Sequence, residues 1–210
     1  LQEDAPSVIK HLSKMIDAYP SEQDQRKDSF YGIRNEWNSN VERIEALSKT
    51  QKAKRTAQML FLNKTCFNGL YRVNSKGKFN VPLGRYTNPN IVNKENLLAV
   101  SKILQSSNLE FFCRDFEQSL HDIKRGDFVY FDPPYQPVSN TANFTSYTNR
   151  SFTDDDLERL ANLAEKLDSM GCKVLLSNSK SKIVENSFSS SKWKIKEIRV
   201  NRAINSNSKK

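Results

Sequence analysis

The chain has 210 residues and a formal charge of +9, room for one sizeable α/β core or for a domain with an insertion. No apolar run approaches the span of a bilayer and no signal-peptide pattern is present, so a soluble, cytoplasmic protein is expected and no membrane partner. Three widely spaced cysteines, Cys66, Cys113 and Cys172, suit neither a disulfide framework nor a zinc site; buried reduced thiols and no metal are expected.

The charge excess is local. Residues 43–86 hold ten Lys/Arg against one acid, Glu45, while the other 23 bases and 23 acids cancel. Basic residues interleaved there with aromatics and turn formers point to a polyanion, nucleic acid first among them.

In chain order, Val8, Ile9, Leu12, Met15 and Ile16 recur at helical spacing and predict a helix over 1–20, stopped by Pro20. A polar stretch, 21–29, precedes a second helix carried by Phe30, Tyr31, Ile33, Trp37 and Val41. A third helical pattern covers 42–63. Asn68-Gly69 and Gly77 then predict a tight loop and a hairpin with strands near 71–74 and 79–82. Such a hairpin suits a DNA groove, where Arg can read guanine and Lys/Arg can neutralise phosphate. A helix over 88–106, with Leu97, Leu98, Val100, Ile103 and Leu104 on its apolar side, leads to a short strand at 109–113 and a helix at 116–124. Residues 128–131 (Phe-Val-Tyr-Phe) predict a buried strand. After a polar loop, 136–151, Thr153 and Asp156 form a capping-box signature for a helix over 154–169 that closes at Gly171. Residues 173–177 are the next strand, completing a βαβ unit and hence a parallel pair. A last strand is expected at 192–201.

Strand 128–131 runs into Asp132-Pro133-Pro134-Tyr135. Two prolines cannot continue a ladder and stiffen the turn, so a carboxylate, backbone carbonyls and an aromatic ring are held at the carboxyl end of a strand. Ligands bind at that edge in open α/β sheets. A planar exocyclic amine fits the set. Asp132 and the Pro133 carbonyl can accept its two hydrogens, which localises the nitrogen lone pair, while Tyr135 stacks on the attached ring.

With these motifs in this order, the chain resembles the Dam-type (D12 class) DNA N6-adenine methyltransferases of the GATC-recognising group. The resemblance runs from about residue 30 to 206, through 68–72, 79–86, 132–135, 143–147, Ser177-Asn178 and 202–206. It implies a class I Rossmann-like methyltransferase core, with an inserted, mainly helical target-recognition domain carrying a β-hairpin. Residues 1–20 would supply a core helix, 21–106 the recognition domain and 107–210 the core with its Asp-Pro-Pro-Tyr motif. S-adenosylmethionine (AdoMet) is the implied methyl donor and double-stranded DNA the partner, with a monomer expected. By position, Asp132, Pro133, Pro134 and Tyr135 take the catalytic role; Asp115 and Phe116, with Asp132, meet the cofactor. Arg72 reads the first guanine, Leu70 and Pro82 lie near the target bases, Asn68 inserts into the duplex and Tyr86 stacks. Lys64 and Arg85 touch the backbone, and Asn74, Asn143 and Tyr147 complete the DNA-binding set.

Two features depart from the family pattern. Its glycine-rich cofactor loop has no counterpart among glycines 32, 69, 77, 84, 126 and 171, and its closing strand is absent, so the chain is expected to be the central and C-terminal part of such an enzyme. An amino-methyltransferase acting on RNA or protein glutamine, and a DNA-binding module without catalysis, stand as alternative readings.

Overall fold

The computed structural model describes residues 1–39, 44–106, 108–120, 122–136, 152–189 and 191–199. The chain divides into two compact units, 1–111 and 112–210.

The first unit is helical. Helix α1 (Ala5–Asp17) is capped by Asp4, whose side chain accepts from the Ser7 N–H at 3.0 Å. It buries Val8, Ile9 and Leu12 against α3 (Lys49–Thr65). The small side chains of Ala53 and Ala57 allow that approach, and Phe61, one turn on, fills the centre with Tyr19 edge-on to it at 5.2 Å. Within the helical pattern predicted over 42–63, the described residues form a 3-10 turn at Ile44–Ala46 and then a separate helix from Lys49. Ser48 starts that helix: its hydroxyl takes the Gln51 N–H while the Gln51 side chain takes the Ser48 N–H.

Helix α2 (Gln23–Ser39) starts inside the stretch expected to be a polar connector. Phe30, Tyr31, Ile33 and Trp37 seat its later turns on the core, as their spacing predicts, whereas the residues before Phe30 are mostly polar and are held by side chains aimed at backbone, so hydrophobic periodicity reveals only part of it. Arg26 donates to the carbonyls of Pro20 at 2.9 Å and Tyr86 at 2.8 Å, and Arg34 to that of Val81 at 3.2 Å. Asn38 makes two bonds to Phe79, donating to its carbonyl at 3.0 Å and accepting its N–H at 2.9 Å. An antiparallel strand would satisfy the same backbone groups; here a helix does so through side chains.

The expected hairpin is present as two antiparallel bridges, Val73 with Phe79 and Cys66 with Leu83, rather than as two continuous strands. Its turn is closed by Asn74, whose Oδ1 accepts from the N–H groups of Lys76 and Lys78 at 3.0 and 3.1 Å. Gly77 there sits at φ 71°. Helix α4 (Lys94–Leu104) starts six residues later than predicted because Asn93 caps it. Leu97 is its buried apolar residue, whereas Leu98 and Ile103 are exposed.

Burial lifts the Cys66 thiol to about 11 from a usual value of 9.0, and Cys172 is also buried while Cys113 is exposed. A chromogenic disulfide reagent at pH 8 should therefore titrate one thiol quickly in the native protein and all three after denaturation. An unfolded thiol releases its proton before the folded Cys66 does. Stability should accordingly fall as pH climbs from about 9 to about 11.

In the second unit, β1 (Phe128–Phe131) pairs in parallel with β2 (Lys173–Leu176), in the register Phe128 to Lys173 through Phe131 to Leu176. The predicted connecting helix, α5 (Asp154–Ser169), is capped reciprocally by Thr153 and Asp156. It ends in a Schellman motif, with Gly171 at φ 82° and the Cys172 N–H bonded to the Leu167 carbonyl at 3.0 Å. Leu157, Leu160, Ala161, Ala164 and Leu167 bury against Val129 and Phe131. The strand is thus half-buried rather than buried: Phe128 and Tyr130, like Leu175 on β2, face outward. A short helix not anticipated, α6 (Lys182–Ser187), follows behind the Ser181 cap.

Three predicted elements differ. Residues 109–113 and the described part of 192–201 are not strands, and Phe111, Phe112, Ile195 and Ile198 are exposed on them; no neighbouring edge among the described residues takes up their backbone groups. Among the described residues of 116–124, Gln118–Leu120 form a 3-10 turn where a helix was expected. Asp115 and Asp127 account for that, their carboxylates accepting the N–H groups of Glu117 and Lys124 in local turns that compete with helix.

Candidate active site and nucleic-acid interface

The β1–β2 register continues one step past the strands. The Ser177 N–H bonds to the Phe131 carbonyl at 3.0 Å, which sets Ser177 opposite Asp132 at the carboxyl edge. The Ser177 hydroxyl donates to Asp132 Oδ1 at 2.7 Å and lies 2.9 Å from the Tyr130 hydroxyl. Since the single Ser177 hydrogen is engaged by the carboxylate, the Tyr130 phenol is the donor in the second bond. Asp132 is thereby turned by one of its oxygens. Oδ2 accepts no bond among the described residues.

Pro133 and Pro134 are half-buried, and Tyr135 is exposed beside them. Buried Gln136 ends the turn: its N–H is held by Asn178 Oδ1 at 3.0 Å and its carbonyl by the Ser179 hydroxyl. The five residues after β1 and the three after β2 therefore make one braced corner. Ser177-Asn178 belongs to the sequence resemblance, but the contacts of Tyr130 and Ser177 around Asp132 escape a motif search. The clue is that residues following two parallel strands share an edge once the register is known.

Asp115 and Phe116 lie in the same unit, before β1. Asp115 is exposed and Phe116 half-buried, packed on the core of this unit. Asp115 accepts through Oδ1 from the Glu117 N–H at 3.0 Å and from Arg159 at 3.0 Å. A carboxylate with an unengaged oxygen next to a ring suits the amino edge and face of adenine. The residues present thus fit the adenine of AdoMet, and Asp132 fits the polar edge nearer the reacting group. No glycine cluster is available to cradle the rest of the cofactor.

In the first unit, Lys64, Asn68, Arg72, Asn74, Pro82, Arg85 and Tyr86 are exposed and Leu70 is half-buried. All eight fall within the paired segment 64–86. Asn68 has φ 53°, the only positive φ of a non-glycine residue among those described. Asparagine tolerates the left-handed region better than most residues, and Gly69 follows it there at φ 60°. The loop is braced from within, Asn63 donating to the Gly69 carbonyl at 2.6 Å and the Cys66 thiol to that of Leu70 at 3.2 Å.

Arg72 Nε donates across the hairpin to Asn80 Oδ1 at 2.9 Å, which aligns the guanidinium and leaves both terminal nitrogens to donate elsewhere. Asn74 has its Oδ1 occupied by the turn, so its amide NH₂ is the group that can reach outward. Tyr86 is anchored through its carbonyl by Arg26. Asn143 and Tyr147 lie outside the described residues.

A carboxylate fixed at a strand end by two prolines, beside an exposed ring, has the form of an amino-methyltransferase site. Residues 3–204 match the D12 class N6 adenine-specific DNA methyltransferase family. The chain is 46% identical over 180 residues to the type II methyltransferase M.MjaIII of Methanocaldococcus jannaschii, covering 85% of this chain and 60% of that one. It is 39% identical over 152 residues to a DNA adenine methylase of Serratia marcescens (72% of this chain, 52% of that one). With a DNA adenine methylase of Escherichia coli it shares 37% over 164 residues (78% and 57%). The chain belongs to the D12 class family of N6 adenine-specific DNA methyltransferases, and it spans 52–60% of the length of these three relatives.

Proposed function

We propose that the protein containing this chain transfers a methyl group from AdoMet to N6 of adenine in duplex DNA, at GATC sites, acting as a monomer. The supporting observation is Asp132, oriented by Ser177 at the carboxyl end of β1 with the exposed Tyr135 beside it. In a duplex N6 is enclosed by the stack, so the adenine must leave it. Tyr135 offers a flat surface on which the extruded base stacks. Asp132 Oδ2 and the Pro133 carbonyl accept the two N6 hydrogens and localise the nitrogen lone pair. Asp132 is exposed and can pass the surplus N6 proton on to solvent. Bound AdoMet supplies a methyl group on a positively charged sulfur, already activated for transfer; Asp115 and Phe116 hold its adenine.

The basic segment 64–86 is the proposed duplex contact, Arg72 reading guanine while Lys64 and Arg85 meet phosphates. Asn68, Leu70, Asn74, Pro82 and Tyr86 face the target step, and Asn143 and Tyr147 complete the set. Methyl incorporation from labelled AdoMet tests the reading, with duplexes carrying GATC, a scrambled site or GATC already methylated. Equal labelling of the scrambled duplex rejects the site. Labelling of RNA or of a glutamine peptide instead rejects the substrate. AdoMet binding without any incorporation would favour a binding module.

A further inference from the structure

Arg159 stands outside every motif described above, yet it makes three ionic contacts to described residues. It projects from α5 one turn past the cap residue Asp156. One terminal nitrogen donates to Asp156 Oδ1 at 2.9 Å; the other donates to Asp115 Oδ1 at 3.0 Å and Glu117 Oε2 at 2.6 Å. Its guanidinium carbon also sits 4.8 Å from the centre of the Phe116 ring. Asp156 is itself immobilised, its Oδ2 accepting from both the N–H and the hydroxyl of Thr153. A rigid chain of contacts therefore runs from the helix cap through Arg159 to residues 115–117.

We infer that Arg159 is a positioning residue for the cofactor: it holds Asp115 and Phe116 in the geometry that receives the adenine of AdoMet. This rests on the proposed reading that Asp115 and Phe116 contact that adenine. Three carboxylates converge on one cation, and each favours its charged state, raising its pKa further. Without the cation Asp115, Glu117 and Asp156 would repel one another, and the one oxygen by which Asp115 is now turned would lose its anchor. The retained geometry directs Asp115 Oδ2, which accepts no bond among the described residues, toward a ligand. A carboxylate oxygen of that kind accepts from an exocyclic amine and rejects a carbonyl in its place. Lysine would keep the charge but could neither fork between carboxylates nor lie flat on Phe116.

Calorimetric titration with AdoMet, using the whole protein, provides the test. Arg159→Ala should weaken AdoMet binding about tenfold, as losing a charged hydrogen bond does, and Arg159→Lys should fall between it and the parent. Duplex affinity should be unchanged. An AdoMet analogue whose adenine amino group is replaced by a carbonyl should bind the parent poorly and be discriminated against less by Arg159→Ala, a change that mere loosening of the fold would not produce. Unchanged AdoMet affinity in folded Arg159→Ala overturns the inference, as does weaker binding with analogue discrimination intact. Should the Ala variant unfold, Arg159→Lys decides alone, and parental affinity and discrimination there count against the role. Asp115→Ala separates the two levels: if it leaves AdoMet binding intact the underlying reading fails, whereas weakened binding in Asp115→Ala but not in Arg159→Ala defeats only the positioning role.

Discussion

Replacing Asp132 with Ala is expected to reduce methyl transfer by about a hundredfold or more, the usual loss when a group that stabilises developing charge is removed. Duplex affinity should barely change, because Asp132 belongs to the second unit and the basic hairpin to the first. Asp132→Asn should retain slight activity, since an amide oxygen still accepts one hydrogen. Ser177→Ala gives a graded companion result. It leaves the carboxylate in place and removes the 2.7 Å bond that turns it, so kcat should fall while KM for DNA stays put. Single-turnover methylation with the whole protein measures both. An Asp132→Ala variant keeping more than a few per cent of the parental rate would remove Asp132 from the chemistry.

Arg72→Ala should cost about 1–3 kcal/mol at the cognate site, the worth of a bidentate arginine–guanine contact. The loss should be much smaller on duplexes already altered at that guanine, so discrimination at one base pair collapses while the others survive. Asn80→Ala removes the 2.9 Å bond that aligns the guanidinium and should give a weaker version of the same pattern. Lys64→Ala and Arg85→Ala should instead weaken all duplexes alike and flatten the salt dependence, as phosphate contacts do. Methylation rates over a panel of single-substitution duplexes at two salt concentrations distinguish these cases. A uniform loss for Arg72→Ala would make it a backbone contact.

The parts legible in the sequence were those governed by local chemistry. The capping box at Thr153, the stop at Gly171 and the two strands around α5 are each specified within a few residues, and the structure has them. The proline-stiffened corner was legible for the same reason. Elements whose form depends on distant partners were not. Phe111, Phe112, Ile195 and Ile198 have strand-forming character, but no neighbouring edge among the described residues pairs with them. Helix α2 was half hidden because Arg26, Arg34 and Asn38 bond to backbone some forty to sixty residues away. At the site, Arg159 was invisible as a motif and Ser177 was legible only as half of the Ser177-Asn178 pair, since the role of each comes from the carboxylates that the fold brings to it.

The seating of the hairpin on α2 bears on how recognition can change over generations. A neighbouring strand would grip residues 79–86 through its own backbone, which a point mutation leaves in place unless it introduces proline. Arg26, Arg34 and Asn38 grip them through side chains, and one codon change can lengthen, shorten or release each tether. The pitch of the proposed reading loop can then drift by small heritable steps taken on α2, whose Asn38 holds Phe79, the bridge partner of Val73 beside Arg72. On the proposed role of Arg72, new site preferences become reachable without first replacing that residue.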